Sequence, residues 1–175
     1  MELAGTRCRL RSLHVDDHEA FYMYVSDTEV TRLTTWETHT RDQAGIALVQ
    51  AIETTPEGQP NLALAITPLN DDQLIGVITL AVTDAEHRRA EIGYGLRSIH
   101  WRRGIGTDAI ACLSAFALAR GDIHRLEATC HPDNVGSAAA LQRAGFTYEG
   151  RLRDHVLVRG AWRDSLLFAR LGNDR

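Results

Sequence analysis

Cysteine is scarce in this sequence, and paired cysteine is absent. Cys8, Cys112 and Cys130 are odd in number and far apart, with no CxxC pair. Neither a zinc ribbon nor a disulfide framework is indicated, and a reducing cytoplasm is the expected compartment. No stretch approaches the roughly 20 consecutive apolar residues of a membrane span. The segment Met1–Leu13 carries Arg7, Arg9 and Arg11 at alternate positions and lacks the apolar run of a signal peptide. No membrane partner is expected. A surplus of positive charge is also missing, since 19 basic residues against 23 acidic ones leave a formal charge of −4. That argues against a protein held to nucleic acid by its overall field. Linkers, internal repeats and low-complexity tracts are lacking as well.

What remains is a chain of 175 residues, the size of one domain, read here as spanning 1–175. Residues 8–13 alternate, with Cys8, Leu10 and Ser12 on one face, and suggest an edge-type strand. Asp16 and Asp17 open a helix with Ala20, Phe21, Tyr24 and Val25 on one side, acidic residues suiting the positive end of its dipole. Residues 28–40 show little periodicity. Ala44, Ala47, Leu48 and Ala51 recur at helical spacing within 42–53. Pro56, Gly58 and Pro60 mark a loop. Strands follow over 62–66, 74–82 and 90–96, joined by short turns as in an antiparallel meander. A helix from Ile105 stops at Gly121, a strand covers 124–130, and a helix starting at Asn134 ends at Gly145. Residues 146–153, 155–158 and 162–169 are strand-like, with Arg159-Gly160 as a hairpin turn. Phe146, Trp162 and Phe168 are read as core. The fold class is α/β with a mixed sheet.

The most informative segment is Trp101-Arg102-Arg103-Gly104-Ile105-Gly106-Thr107-Asp108-Ala109, between a strand and an amphipathic helix. Its glycines let a ligand approach the backbone, the helix start offers unpaired N–H groups, and two arginines add charge; a phosphate or diphosphate suits it. A P-loop is excluded, because no Lys-Ser/Thr pair follows the glycines. Gly104, Gly106 and Ala109 match a dinucleotide-binding GxGxxA pattern, with Glu127 near the acidic position. However, the meander before them and the charged segment 97–103 do not fit that fold's opening strand.

Residues 90–109, AEIGYGLRSIHWRRGIGTDA, resemble the acetyl-CoA site of the GNAT N-acetyltransferase superfamily, with Trp101 in place of the signature's Gln or Arg. The resemblance to its ribosomal-protein N-terminal acetyltransferase branch continues through RLEATCHPDNVGSAAALQRAGFTYEGRLRD, residues 125–154, to Trp162-Arg163-Asp164 and residues 167–171. It implies a mostly antiparallel central sheet flanked by helices, with a splayed strand pair forming the acetyl-CoA cleft. It implies acetyl transfer from acetyl-CoA to a primary amine by direct attack. The acceptor expected from the branch is a protein or peptide α-amino group; alternatives are a small-molecule amine, such as an antibiotic or polyamine, and a non-catalytic acyl-CoA sensor.

By the same resemblance, the cofactor contacts are the strand Ile92, Gly93, Tyr94, Gly95 and Leu96, then Trp101, Arg102, Arg103, Gly104, Ile105, Gly106 and Thr107, and finally Asn134. The glycines Gly93 and Gly95 fit a bulge or a close approach, and Asn134 suits a helix N-cap equally well. Glu91 is the candidate base that frees the attacking amine of its proton, and Ser137 the candidate hydroxyl beside the leaving thiolate. Trp36, Glu37 and His39 occupy the segment that shapes the acceptor pocket in related enzymes. No metal is expected: His124, Cys130, His131 and Asp133 match no zinc spacing. An exposed strand edge offers a pairing surface for a homodimer.

Overall fold

The computed structural model describes residues 1–55 and 60–174; Pro56 and Gly58 of the expected loop lie outside them. Among the described residues, thirteen strands and α-helices follow one another: β1 Glu2–Ala4, β2 Cys8–Ser12, α1 His18–Val25, α2 Thr28–Thr31, α3 Arg41–Thr54, β3 Leu62–Pro68, β4 Gly76–Asp84, β5 Arg89–Leu96, α4 Ile105–Ala119, β6 Arg125–Cys130, α5 Val135–Arg143, β7 Thr147–Val158 and β8 Ala161–Leu171. The strands form one sheet in the order β1-β2-β3-β4-β5-β6-β8-β7. The β5–β6 pair is parallel and every other pair antiparallel, because the α4 crossover brings β6 in beside β5 in the same direction.

Alternation in the strands divides the core between the two faces. Leu10, Ile66, Ile78, Ile92, Leu126 and Phe168 pack with α4 and α5 on one face. Ala63, Ala65 and Val77 pack on the other with Phe21 and Tyr24 of α1 and Leu48 of α3. α3 starts on a capping box: the Thr40 hydroxyl accepts from Gln43 N while the Gln43 side chain accepts from Thr40 N.

Two expectations, for β2 and Trp162, are corrected, and two, for Asp17 and residues 28–40, are extended. β2 is not an edge, because Glu2–Ala4 pairs along its outer side; three residues are too few to register as periodicity. Asp17 does more than complement a helix dipole: its buried carboxylate accepts from Arg11 Nη1 and Nη2 at 2.8 and 2.7 Å and from His14 N at 2.9 Å. The aperiodic segment holds a short helix, α2, capped by the Asp27 side chain. Trp162 is not core but 62% exposed. Pairing of β8 with β6 ends at Leu166 opposite Cys130, so the hairpin tip carrying Trp162 runs past the sheet that would have covered it. Phe146 and Phe168 are buried as expected. The hairpin turn is also as expected, with Arg159 at φ 51° and Gly160 at φ 77°.

Candidate active site

The sheet opens between β5 and β6. Their pairing consists of Arg89, Ala90 and Glu91 opposite Arg125, Leu126 and Glu127. Beyond that point β5 stays on β4 as far as Leu96, and β6 stays on β8 as far as Cys130. The backbone of Ile92–Leu96 therefore has no strand on its β6 side. Across this gap Tyr94 Oη lies 2.7 Å from Ser137 Oγ, on the first turn of α5. Burial pushes the Tyr94 phenol up, and the Ser137 contact opposes that shift. Burial also raises the Cys130 thiol, with Ser137 again opposing. Three neutral groups thus meet where the strands part, all on the α4/α5 face.

Gly93 and Gly95 do not form a bulge, since the β4–β5 register runs unbroken from Gly76–Leu96 to Val82–Ala90. Close approach is the reason for Gly95: a Cβ there would sit 2.3 Å from Tyr24 Oη on the opposite face.

The chain leaves β5 through a turn tied back onto it, where Trp101 Nε1 donates to Leu96 O at 2.8 Å. Arg102 and Gly104 then take left-handed conformations, φ 60° and 75°. No side chain caps the N-terminus of α4. Its first-turn carboxylate, Asp108, is directed away to the β1–β2 turn, where it accepts from Thr6 N, Thr6 Oγ1, Arg7 N and Cys8 N at 2.7–3.2 Å. Burial opposes ionisation of Asp108, yet these bonds hold its pKa below the ordinary value. The N–H groups of Ile105, Gly106 and Thr107 therefore open the helix with partial positive charge and no side-chain cap. Arg102 and Arg103 are exposed beside them. An uncapped helix start flanked by guanidinium groups fits a diphosphate.

Asn134 fills its capping role, its Oδ1 accepting from Ser137 N at 3.0 Å. On the α1/α3 face, Glu91 stands exposed at the point where the splay begins. Thr129 Oγ1 donates to it at 3.4 Å. Trp36 packs edge-on against Tyr24 at 5.7 Å and against His39 at 6.0 Å between ring centroids. Trp36 thus reaches the splay through Tyr24 and Gly95. Glu37 and His39 instead line a depression of about 300 Å³ against α3, with Ile46, Ala47 and Gln50. The three expected acceptor residues therefore divide between two neighbouring places.

The GNAT acetyltransferase domain matches residues 7–147. The chain belongs to the GNAT acetyltransferase family. It is 31% identical to the N-acetyltransferase p20 of Bacillus licheniformis over 94% of this chain and 93% of that one. It is 34% identical to the ribosomal-protein-serine acetyltransferase of Escherichia coli over 58% of this chain and 56% of that one. In fold it superposes on the ribosomal L7/L12 α-N-protein acetyltransferase RimL in complex with coenzyme A, with a TM-score of 0.85, 22% identity and 98% of both chains covered. RimJ of Mycobacterium smegmatis, in complex with a CoA disulfide, gives a TM-score of 0.85 at 26% identity over 98% of this chain and 87% of that one. The protein is a GNAT N-acetyltransferase, and the dinucleotide-binding alternative is set aside.

Several residues that shape this GNAT site carry no local sequence signal. Asp27 caps α2 through Glu29 N at 3.1 Å and also accepts from Ser98 N at 2.8 Å, in the β5–α4 connection. Arg159 Nη2 donates to Thr31 O and Trp36 O at 3.1 and 3.3 Å, and Arg163 Nη1 to Thr34 O at 3.0 Å. The β7–β8 hairpin thereby grips the loop before α3. The phenol of Tyr94 was readable from alternation alone, which places it on the same face as Ile92 and Leu96.

Proposed function

We propose that this N-acetyltransferase takes its acetyl group from acetyl-CoA and delivers it to the α-amino group of a protein or peptide, through one catalytic domain spanning 1–175. The observation that carries the reading is the end of β5–β6 pairing at Glu91 and Glu127. It leaves a strand edge that leads directly to an uncapped helix N-terminus. Acetyl-CoA supplies an activated thioester.

The free backbone of Ile92–Leu96 pairs with the pantetheine amides as a further strand would. The N–H groups of 103–107, with Arg102 and Arg103, hold the diphosphate, and the Asn134 amide nitrogen donates beside them. The attacking amine must be neutral, and an α-amino group with a pKa of about 7.7–8.0 needs only modest help. Glu91 gives that help through water: Tyr94 lies three residues along the strand, roughly 10 Å away, beyond direct reach. The N–C bond forms as the C–S bond breaks. Ser137, hydrogen-bonded to Tyr94, donates a hydrogen bond to the departing thiolate. The proton given up by the nitrogen ends on the sulfur, through water, to release CoA as the thiol. Relatives acting on ribosomal proteins support a protein acceptor.

Thermal unfolding with acetyl-CoA and, separately, with NADH tests the cofactor. A ligand at about 100 times its Kd adds about 2.7 kcal/mol, or roughly 5–11 °C here. Peptides with free and blocked N-termini then test the acceptor, with CoA release and the added acetyl mass as readouts. Acetylation of the free α-amine is expected. Turnover of small amines alone would overturn the acceptor, and binding without CoA release would make the chain a sensor.

A further inference from the structure

The chain contains no lysine, so all 19 of its basic residues are arginines. Several of these meet carboxylates: Arg11 with Asp17 and Asp72, Arg120 with Asp122, Arg125 with Glu127 and Glu149, Arg151 with Asp164. The outer end of the splay on the α1/α3 face is different. Arg159 and Arg163 spend their donors on neutral carbonyls of the loop before α3. Neither has a carboxylate within 4.0 Å among the described residues. Arg163 is half-buried and its Nε is buried without a partner. Burial, then the charge of Arg159, lowers its hold on the proton. A half-buried cation with an idle donor, in a chain of net charge −4, is costly unless an anion arrives.

The neighbours share the pattern. Among the described residues the carboxylate nearest Arg32 is that of Glu29, at 4.0 Å, with both side chains 62% exposed. His131, just past β6, accepts from Asp133 N through Nδ1 at 2.9 Å. That bond leaves the ring proton on Nε2. Burial and the charges of Arg163 and Arg32 lower the pKa of the ring, against the exposed Asp133 carboxylate. The nearby Asp164 is already engaged by Arg151 Nε and Asp154 N.

The inner end of the same face carries the opposite charge, at Glu91. From Glu127, across from Glu91, to His131 is four residues, about 13 Å of strand. The α1/α3 side of the splay therefore runs from an acid to a group of guanidiniums over the length of a few extended residues. Resting on the acceptor class proposed above, we propose that the preferred acceptor is a peptide N-terminus followed by acidic residues, its ammonium entering toward Glu91 and acidic side chains at the second to fourth positions meeting Arg32, Arg159 and Arg163.

Three peptides of one length test this, beginning with serine and carrying acidic, neutral-amide or basic side chains at positions two to four. Initial rates of α-amine acetylation are read at low and high salt. The acidic peptide is expected to exceed the neutral one about 10-fold or more in kcat/KM at low salt, the advantage shrinking as salt rises. Arg32→Gln, at an exposed position, should lower kcat/KM for the acidic peptide more than for the neutral one, with Tm unchanged. Arg163→Gln should cut the advantage further, although the loop bond it breaks also slows both peptides. A purely structural arginine would lower both peptides alike. Equal wild-type rates for acidic and neutral peptides would overturn the charge preference and leave the peptide reading intact. An advantage that survives Arg32→Gln/Arg163→Gln would overturn it as well. Acetyl-CoA binding with no peptide acetylated would overturn the peptide reading, and this inference with it.

Discussion

The two faces of the splay are built in different ways. On the α4/α5 face the chain presents mostly backbone: the unpaired edge of Ile92–Leu96, a left-handed Gly104 and an uncapped helix start. On the α1/α3 face it presents side chains, joined over long sequence distances. Gly95 leaves room for Tyr24, Tyr24 packs on Trp36, and the carbonyl of Trp36 is held by Arg159. Backbone donors survive drift in side-chain identity, so such a surface suits a ligand whose chemistry stays constant. A surface of side chains can be altered one residue at a time and suits a ligand that changes. The first face is the proposed acetyl-CoA side, the second the proposed acceptor side.

The largest expected effect comes from the support of the backbone face. Asp108→Ala removes the acceptor for three main-chain N–H groups and one hydroxyl. A loss of about 3 kcal/mol is expected, or roughly 6–12 °C in Tm by calorimetry. The held-down carboxylate gives this anchor a pH signature. Its stabilisation is complete above the unfolded pKa near 3.9 and is lost as pH falls through the lower folded value. Asp108→Asn should lack that part of the acid sensitivity. A Tm within about 2 °C of wild type for Asp108→Ala would mean that α4 is placed by its apolar packing alone.

Chemistry at the gap comes next. Ser137→Ala is expected to lower kcat about 10–100-fold with acetyl-CoA affinity nearly unchanged, because thiols near pKa 8.5 need only modest protonation. Tyr94→Phe keeps the hydroxyl of Ser137 but removes its 2.7 Å partner, and a smaller fall is expected. An unchanged kcat for Ser137→Ala would remove this residue from the reaction.

The side-chain face is tested by Gly95→Ala. The new methyl would stand 2.3 Å from Tyr24 Oη and 3.0 Å from its ring carbons. Displacing Tyr24 and with it Trp36 should cost about 1–3 kcal/mol. The KM for acceptor should rise several-fold while the Kd for acetyl-CoA holds. Equal changes in both constants would erase the contrast between the faces.

That contrast also explains what could be read in advance. The meander, the α4 glycine turn, the Asn134 cap and the Arg159-Gly160 hairpin follow from local rules of period, capping and turn chemistry. Arg159 and Arg163 were invisible for a physical reason: they bind carbonyls of Thr31, Thr34 and Trp36, and a carbonyl has no residue identity to recognise. Asp108 reads locally as a first-turn acid, whereas its partners lie about a hundred residues earlier. Trp162 reads as core by composition, and only the shortness of β6 exposes it. The unpaired edge of β5 was expected from the family resemblance, since nothing in 90–96 alone announces where pairing stops.

Asp27 gives the smallest effect and the sharpest question, because it joins the faces. Its carboxylate caps α2 on the acceptor side and accepts from Ser98 N in the turn leading to α4. Burial opposes its ionisation, yet these bonds keep its pKa below the ordinary carboxylate value. Asp27→Ala should cost about 1 kcal/mol, roughly 2–4 °C in Tm at pH 7. The difference from wild type should shrink as pH falls below about 3.9, where the wild-type carboxylate is itself progressively protonated. The informative reading is affinity. If acetyl-CoA binding weakens together with acceptor KM, the loop before α3 and the diphosphate turn move as one body through Asp27. If only acceptor KM rises, the backbone face holds its shape unaided, as expected of a surface made from strand edge and helix end.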